Sequence, residues 1–358
     1  MKPFRIGSEE VHLPTALFAF ALGTAGGFAA LAVGLPLPML LGSIVAVGGA
    51  SVAGLRIGGR PPRIPVQLRM GFIPIIGVSI GGALTADLFD DVLRWWPSLL
   101  ALLLYIPLAH WSAYLAIRRT SPLDPQTAYW GSVPGGLIDS VLLGEQAGAD
   151  TQMVTMLQFL RLILCIMIVP TGFTLATGQA VGSATGEVIG GAGVVLTPLD
   201  WVILALAGLA GVFGGKVLRF PAYWMTGPIL ASGIVRITGV VEGGPPRWLI
   251  DLTQLVIGVS LGTRFIGMPP RLVLTAARLA GLNVLLMLAV AAVAAAMLYR
   301  LVGEQWEAVF LAFAPGGLAE MSLIALSLEL SVIYVTIHHI ARIVLSIAFA
   351  KGLAGRVR

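Results

Sequence analysis

The sequence predicts an all-α integral membrane protein made of two homologous halves, and three observations carry that prediction. The first is composition. Of 358 residues 57% are hydrophobic, 45 more are glycine and only 11% are charged, with a mean hydropathy of +0.94. Soluble domains carry roughly a quarter charged residues, so this chain has too little charge to cover a water-facing surface. The second is continuity. The stretches Leu13 to Leu55, Pro97 to Ile117, Leu162 to Gly186 and Leu279 to Tyr299 contain no Asp, Glu, Lys or Arg. Barrel strands would alternate in segments of about ten residues, so these runs read as helices. The third is that the chain repeats itself.

Pro134-Gly135-Gly136-Leu137-Ile138-Asp139 recurs as Pro315-Gly316-Gly317-Leu318-Ala319-Glu320, an offset of 181. Arg161 with Leu-Ile-Leu after it recurs at the same offset as Arg342 with Ile-Val-Leu, and Gly77-Val-Ser-Ile-Gly81 recurs as Gly258-Val-Ser-Leu-Gly262. Upstream, Pro36 and Gly42 match Pro221 and Gly227, and Gly23 matches Gly208, at 185. Ordered anchors of this kind mark a duplication. We divide the chain into a membrane repeat at 1–177, a glycine-rich linker at 178–198 and a second membrane repeat at 199–358. The run at Leu13 has a partner in the second half, so it reads as a retained span and not as a cleaved signal peptide.

In chain order the expected spans are 14–33, 37–55, 66–86, 96–117 and 153–177, then 199–217, 221–240, 248–267, 277–299 and 332–352. The Pro-Gly-Gly segments 127–148 and 306–330 precede the last span of each half. If each of these is re-entrant, there are ten spans in two inverted five-span halves. With the N-terminus cytoplasmic, sixteen of the 22 basic residues, among them Arg56, Arg60, Arg63, Arg118, Arg119, Lys216, Arg219, Arg264, Arg271 and Arg278, then share the cytoplasmic side. If both segments cross, the halves are parallel, there are twelve spans, and Lys216, Arg219, Arg264, Arg271 and Arg278 move outside. Lys and Arg placement is the main determinant of orientation, which favours the inverted arrangement in a bacterial inner membrane.

Proline removes a helix donor and clashes with the preceding turn, and glycine relaxes the backbone. Pro134-Gly135-Gly136 and Pro315-Gly316-Gly317 therefore predict interrupted helices, which survive at membrane depth only when buried in protein or facing a water-filled cavity. Asp139 and Glu320 fall in the first turn after each break, where a carboxylate meets the positive end of the helix dipole. Each reads as a cap or as a group that binds a proton or cation. Arg161 and Arg342, 22 residues further on, cannot face lipid cheaply. They pair with an acid or bind an anionic group. Ser79 and Ser260, inside the repeated Gly-x-Ser-x-Gly segments, either hydrogen-bond a solute or merely accompany close packing.

Other function classes lack support. The net charge of +5 comes with no basic run, helix-turn-helix pattern or zinc spacing, so no direct nucleic-acid partner is expected. Cys165 is the single cysteine and His12, His110, His338 and His339 are scattered, so no metal site or cofactor is expected. The histidines read as solvent-side or packing residues. No HExxH, Walker A, or GxSxG and GxGxxG in strand–turn–helix context appears, and no enzyme is expected.

The doubled Pro-Gly-Gly-Leu-x-acid motif with its trailing arginine, at this length and hydropathy, resembles the bacterial membrane AbrB family over nearly the whole chain. That family also carries the labels AbrB duplication and ammonia monooxygenase. It is similar in organisation to the cation/proton antiporter and anion transporter group, with inverted five-span repeats and crossed broken helices. The resemblance implies a secondary transporter working by alternating access, without naming a substrate; the arginines, read as anion-binding, point to a small, anionic solute, with H+ or Na+ as coupling ion. On it, the lipid bilayer, a solute and an ion are the expected partners, and the oligomeric state stays open. The alternative is a membrane-embedded regulator or sensor that affects gene expression indirectly.

Overall fold

A computed structural model describes residues 4–6, 9–82, 84, 91–178 and 196–357. Among the described residues the regular structure is helical, apart from a two-stranded antiparallel ribbon of β1 (Phe4–Ile6) and β2 (Glu9–Val11). The glycine-rich linker lies almost wholly outside the described residues. In chain order the first half gives α1 (Leu13–Ala32), α2 (Pro38–Val52), α3 (Val66–Gly81), α4 (Trp96–Thr120), α5 (Pro125–Gly131), α6 (Leu137–Gln146) and α7 (Thr151–Thr177). The second half gives α8 (Pro198–Val217), α9 (Tyr223–Ile237), α10 (Arg247–Gly262), α11 (Pro270–Val302), α12 (Trp306–Phe313), α13 (Leu318–Ser327) and α14 (Val332–Leu353). Helices occupy all ten expected spans. Six of them, α1, α4, α7, α8, α11 and α14, are long and apolar enough to cross a membrane. The other four, α2, α3, α9 and α10, have 15 or 16 residues, about 22–24 Å at 1.5 Å per residue, against a hydrocarbon core of about 30 Å.

The chain forms two compact units, and each draws on both halves of the sequence. Unit 1 comprises Met1–Ala86, Pro170–Pro270 and Leu326–Leu328; unit 2 comprises Asp87–Val169, Arg271–Ala325 and Glu329–Arg358. Unit 1 therefore collects α1, α2 and α3 with α8, α9 and α10. Its packing follows the repeat: α1 lies on α2 as α8 lies on α9, while α3 packs on α9 and α10 on α2. Glycine permits these crossings. A Cβ at Gly26 would lie 2.9 Å from the Gly42 carbonyl carbon, and one at Gly211 would lie 2.6 Å from that of Gly227. Both contacts are closer than real Cβ atoms allow, so the backbones meet where a side chain would hold them apart. Leu37 and Ala222, the N-cap residues of α2 and α9, both adopt left-handed backbone, with φ of 45° and 50°.

Unit 2 holds the interrupted segments. α5 begins on an Asp124 N-cap, whose Oδ1 accepts from the Thr127 amide at 2.9 Å, with Pro125 in the first turn. This is the expected chemistry of a helix start. It stops at Gly131, the chain runs unwound through Val133-Pro134-Gly135, and α6 restarts after Gly136 at φ 64°. α12 stops at Phe313, Ala314 to Gly317 are unwound, and α13 restarts at Leu318. The sequence expectation of a broken helix at each Pro-Gly-Gly matches this backbone.

Candidate functional site

The two breaks expose backbone carbonyls in the interior, and an apolar interior charges about 1–3 kcal/mol for each group left unpaired. The long helices α7 and α14 supply the donors. On α7, Gln158 Nε2 donates to the Trp130 carbonyl at 2.7 Å and the Val133 carbonyl at 3.2 Å, and Arg161 Nη1 donates to Val133. On α14, His339 Nε2 donates to the Leu311 carbonyl at 2.9 Å. Arg342 Nη1 donates to Ala314 and, at 3.4 Å, to Phe313, and its Nη2 donates to Gly316 at 2.8 Å and to His339 Nδ1 at 3.0 Å. Arginine can only donate, so His339 Nδ1 is the acceptor and the imidazole proton sits on Nε2. Gln158 and His339 are 181 residues apart, as are their targets Trp130 and Leu311, so the capping device is duplicated with the motif it serves.

Each guanidinium thus sits at the C-terminal, negative end of a half-helix, where a cation is stabilised. Gln158, Arg161, His339 and Arg342 are all buried. No ion pair joins Arg161 or Arg342 to Asp139 or Glu320 among the described residues.

The acids sit at the other ends of the breaks. Both curl back over their own helix starts: a Cβ at Gly136 would lie 3.5 Å from Asp139 Oδ2, and one at Gly317 would lie 2.9 Å from Glu320 Cδ. Their environments differ. Glu320 is only 4% exposed, whereas Asp139 is exposed beside Ile138 and Leu142. Pro134, Gly135 and Pro315 are buried, and Gly136, Gly316 and Gly317 lie at or next to the restarts.

Each break also touches the long helix of the other half. A Cβ at Gly135 would lie 3.5 Å from the Ile343 Cα and 3.4 Å from Ser346 Oγ of α14. One at Gly317 would lie 2.9 Å from Leu162 Cδ1 of α7. Leu162 follows Arg161 and Ile343 follows Arg342, so each arginine caps its own break from a helix that also lies against the other one. The structure brings the two Pro-Gly-Gly segments, both arginines and Glu320 together in unit 2.

Ser79 and Ser260 belong to unit 1. Both are buried, within segments that approach a neighbouring backbone. A Cβ at Gly77 would lie 2.7 Å from the Met225 carbonyl oxygen, and one at Gly258 would lie 2.6 Å from that of Leu40. Close packing accounts for these glycines. Burial removes the solvent-side option for His110, His338 and His339, all with 0% exposure, and His339 acts as a cap and not by packing alone. Sequence reasoning missed Gln158 and read His339 only as a solvent-side or packing residue. Their signal was the offset of 181, which pairs two polar residues of unlike type inside apolar runs.

Comparison with known proteins places this arrangement in a family. A family profile described as "Transition state regulatory protein AbrB" matches residues 39–358. "Uncharacterized protein YhjN" of Bacillus subtilis (strain 168) is 28% identical over 361 aligned positions, covering 95% of this chain and 92% of that protein. "Putative regulator AbrB" of Escherichia coli (strain K12) is 29% identical over 300 positions, covering 82% of each. The chain, a helical membrane protein with paired broken helices, belongs to the AbrB family.

Proposed function

We propose that the protein is a secondary transporter of a small solute, with unit 2 carrying the site and the bilayer crossed by inverted halves in an inner membrane, N-terminus cytoplasmic. The observation that carries the reading is the pair of buried helix breaks, each capped by a guanidinium of its own half and backed by the long helix of the other. Paired discontinuous helices from two repeats are the recurring way in which transporters build a midplane site for alternating access. Irregular backbone at membrane depth is tolerated only where it is buried in protein or lines a water-filled cavity, and these breaks are buried. In this reading Glu320 takes the coupling proton or sodium ion. It is the one carboxylate of the doubled motif held away from solvent, and a buried ionisable group in a membrane segment is costly to keep without use.

The test is solute-driven ion movement in proteoliposomes loaded with a pH- or sodium-sensitive dye, screened over metabolites and inorganic ions. Wild type gives a saturable signal with at least one solute, and folded Glu320→Gln protein loses it. An undiminished signal from an Asp139→Asn, Glu320→Gln double variant rejects the coupling role. For orientation, a cysteine at Gly186 in a Cys165→Ser background labels from outside only; labelling only from the cytoplasm overturns the inverted halves.

A regulatory role is the second reading, favoured by the name of the Escherichia coli relative. It predicts a deletion phenotype that survives Glu320→Gln but is lost when cytoplasmic arginines such as Arg60 and Arg63 are changed. A transported effector would connect the two readings, since its level would alter expression without any DNA-reading module in this chain.

A further inference from the structure

We propose that the crossing in unit 2 binds a small oxyanion, a carboxylate or an inorganic oxyacid, between Arg161 and Arg342, with Tyr105 and Ser346 as further donors. The inference rests on the transport reading for the passage of the ligand, and on the geometry of the crossing for its class.

The argument starts from donors that the helix caps leave unspent. Nη atoms of both arginines serve backbone carbonyls, yet both Nε atoms are buried with no hydrogen-bond partner. Ser346 lies one turn beyond Arg342 on the same face of α14. It is 0% exposed, lies against the first break at Gly135, and its Oγ has no partner. Tyr105 of α4 stacks edge-on to Phe313 at 5.1 Å, beside the carbonyls that Arg342 caps, and its buried hydroxyl has no partner either. The Tyr105 hydroxyl and both guanidiniums interact electrostatically, and the guanidiniums repel each other. These are four N–H or O–H donors, all on residues of 0–4% exposure, on the elements that meet at one crossing.

Charge points the same way. Among the described residues, two guanidiniums are buried at the crossing with a single buried carboxylate, Glu320, and that carboxylate turns back over its own helix start. Carbonyl dipoles offset part of each cation, but like charges in an apolar interior remain costly without a counter-charge. An oxyanion supplies the charge and accepts from the idle N–H and O–H groups at once, which neither water nor a cation can do. Because all four residues are packed shut, a ligand reaches them only when α4 and α14 part, as an alternating-access cycle requires.

The experiment is thermal unfolding of the purified full-length protein at constant ionic strength, with the sodium salts of acetate, succinate, sulfate and phosphate as probes. At least one probe raises the unfolding temperature saturably, since a ligand that binds only the folded state stabilises it. Carboxylates acting alone identify an organic acid, and sulfate or phosphate acting alone an inorganic one. Tyr105→Phe keeps the ring on Phe313, and Ser346→Ala keeps the helix; each weakens the apparent affinity about tenfold while the unliganded unfolding temperature holds. No saturable stabilisation by any probe, or equal stabilisation of wild type and both variants, overturns the anion site. Anion binding without flux in the dye-loaded proteoliposomes leaves the site standing and removes transport. Flux of a neutral or cationic solute without anion stabilisation removes the anion site alone.

Discussion

Unit 1 and unit 2 are built from the same duplication, and they have kept it differently. In unit 1 the copies pack alike: Gly26 meets Gly42 as Gly211 meets Gly227, and Gly77 lies against Met225 as Gly258 lies against its counterpart Leu40. In unit 2 the copies share a backbone but not their chemistry. The first break is capped by Gln158 and one bond from Arg161, with Ser140 Oγ also donating to Gly135 at 3.3 Å. The second is capped by His339 and a four-partner Arg342. The first acid is exposed and the second is buried. Where the duplication stayed symmetric, backbone proximity leaves no freedom to vary. Where it diverged, one copy has been released from the constraint that holds the other.

The largest expected effect lies in the symmetric unit. Gly42→Leu and Gly227→Leu each drive a side chain into a backbone that is already too close for a Cβ, beyond the 1–3 kcal/mol or so typical of overpacking. Both should abolish monodisperse protein on size-exclusion chromatography, and to the same degree. If one were tolerated and the other not, the symmetry of unit 1 would be only apparent.

Unequal effects are expected in unit 2. Arg342→Met strips donors from Phe313, Ala314 and Gly316 and should cost about 3 kcal/mol or more, whereas Arg161→Met frees one carbonyl that Gln158 also serves and should cost about 1 kcal/mol. Thermal unfolding in detergent separates them, and equal losses would contradict the asymmetry. Glu320→Gln and Asp139→Asn then divide function: solute-driven ion flux falls about tenfold or more in the first and less than about twofold in the second. A larger loss from Asp139→Asn would move the coupling group to the exposed copy.

Much of this was legible beforehand for a definite reason. A bilayer forces spans into long uncharged runs, so the ten helices could be read from hydropathy, and Pro-Gly-Gly breaks a helix wherever it falls. The four short helices α2, α3, α9 and α10 were expected a few residues too long, because apolar loop residues such as Leu55 and Val240 extend the runs without extending the helix. The partners of Arg161 and Arg342 were harder to foresee. Sequence suggests that a buried cation seeks a carboxylate or an anion, but carbonyls freed by the break are invisible in side-chain patterns. That Asp139 and Glu320 would differ in burial was also hidden, since the motif is the same and only tertiary packing separates them.

The smallest effect is the most exacting test of the comparison. His339→Gln places the first copy's donor in the second copy. Glutamine Nε2 can reach the Leu311 carbonyl as Gln158 reaches Trp130, so the helix cap survives. What is lost is the acceptor that His339 Nδ1 offers to Arg342 Nη2 at 3.0 Å, although the glutamine oxygen can replace it after a modest rotation. The net change should be no more than about 1 kcal/mol, the typical worth of one hydrogen bond, whereas His339→Leu leaves both Leu311 and Arg342 short and should cost about 2–3 kcal/mol. Thermal unfolding of the two variants side by side decides it. Equal destabilisation would mean that the imidazole ring, and not its place in the duplicated cap, is what the second copy requires.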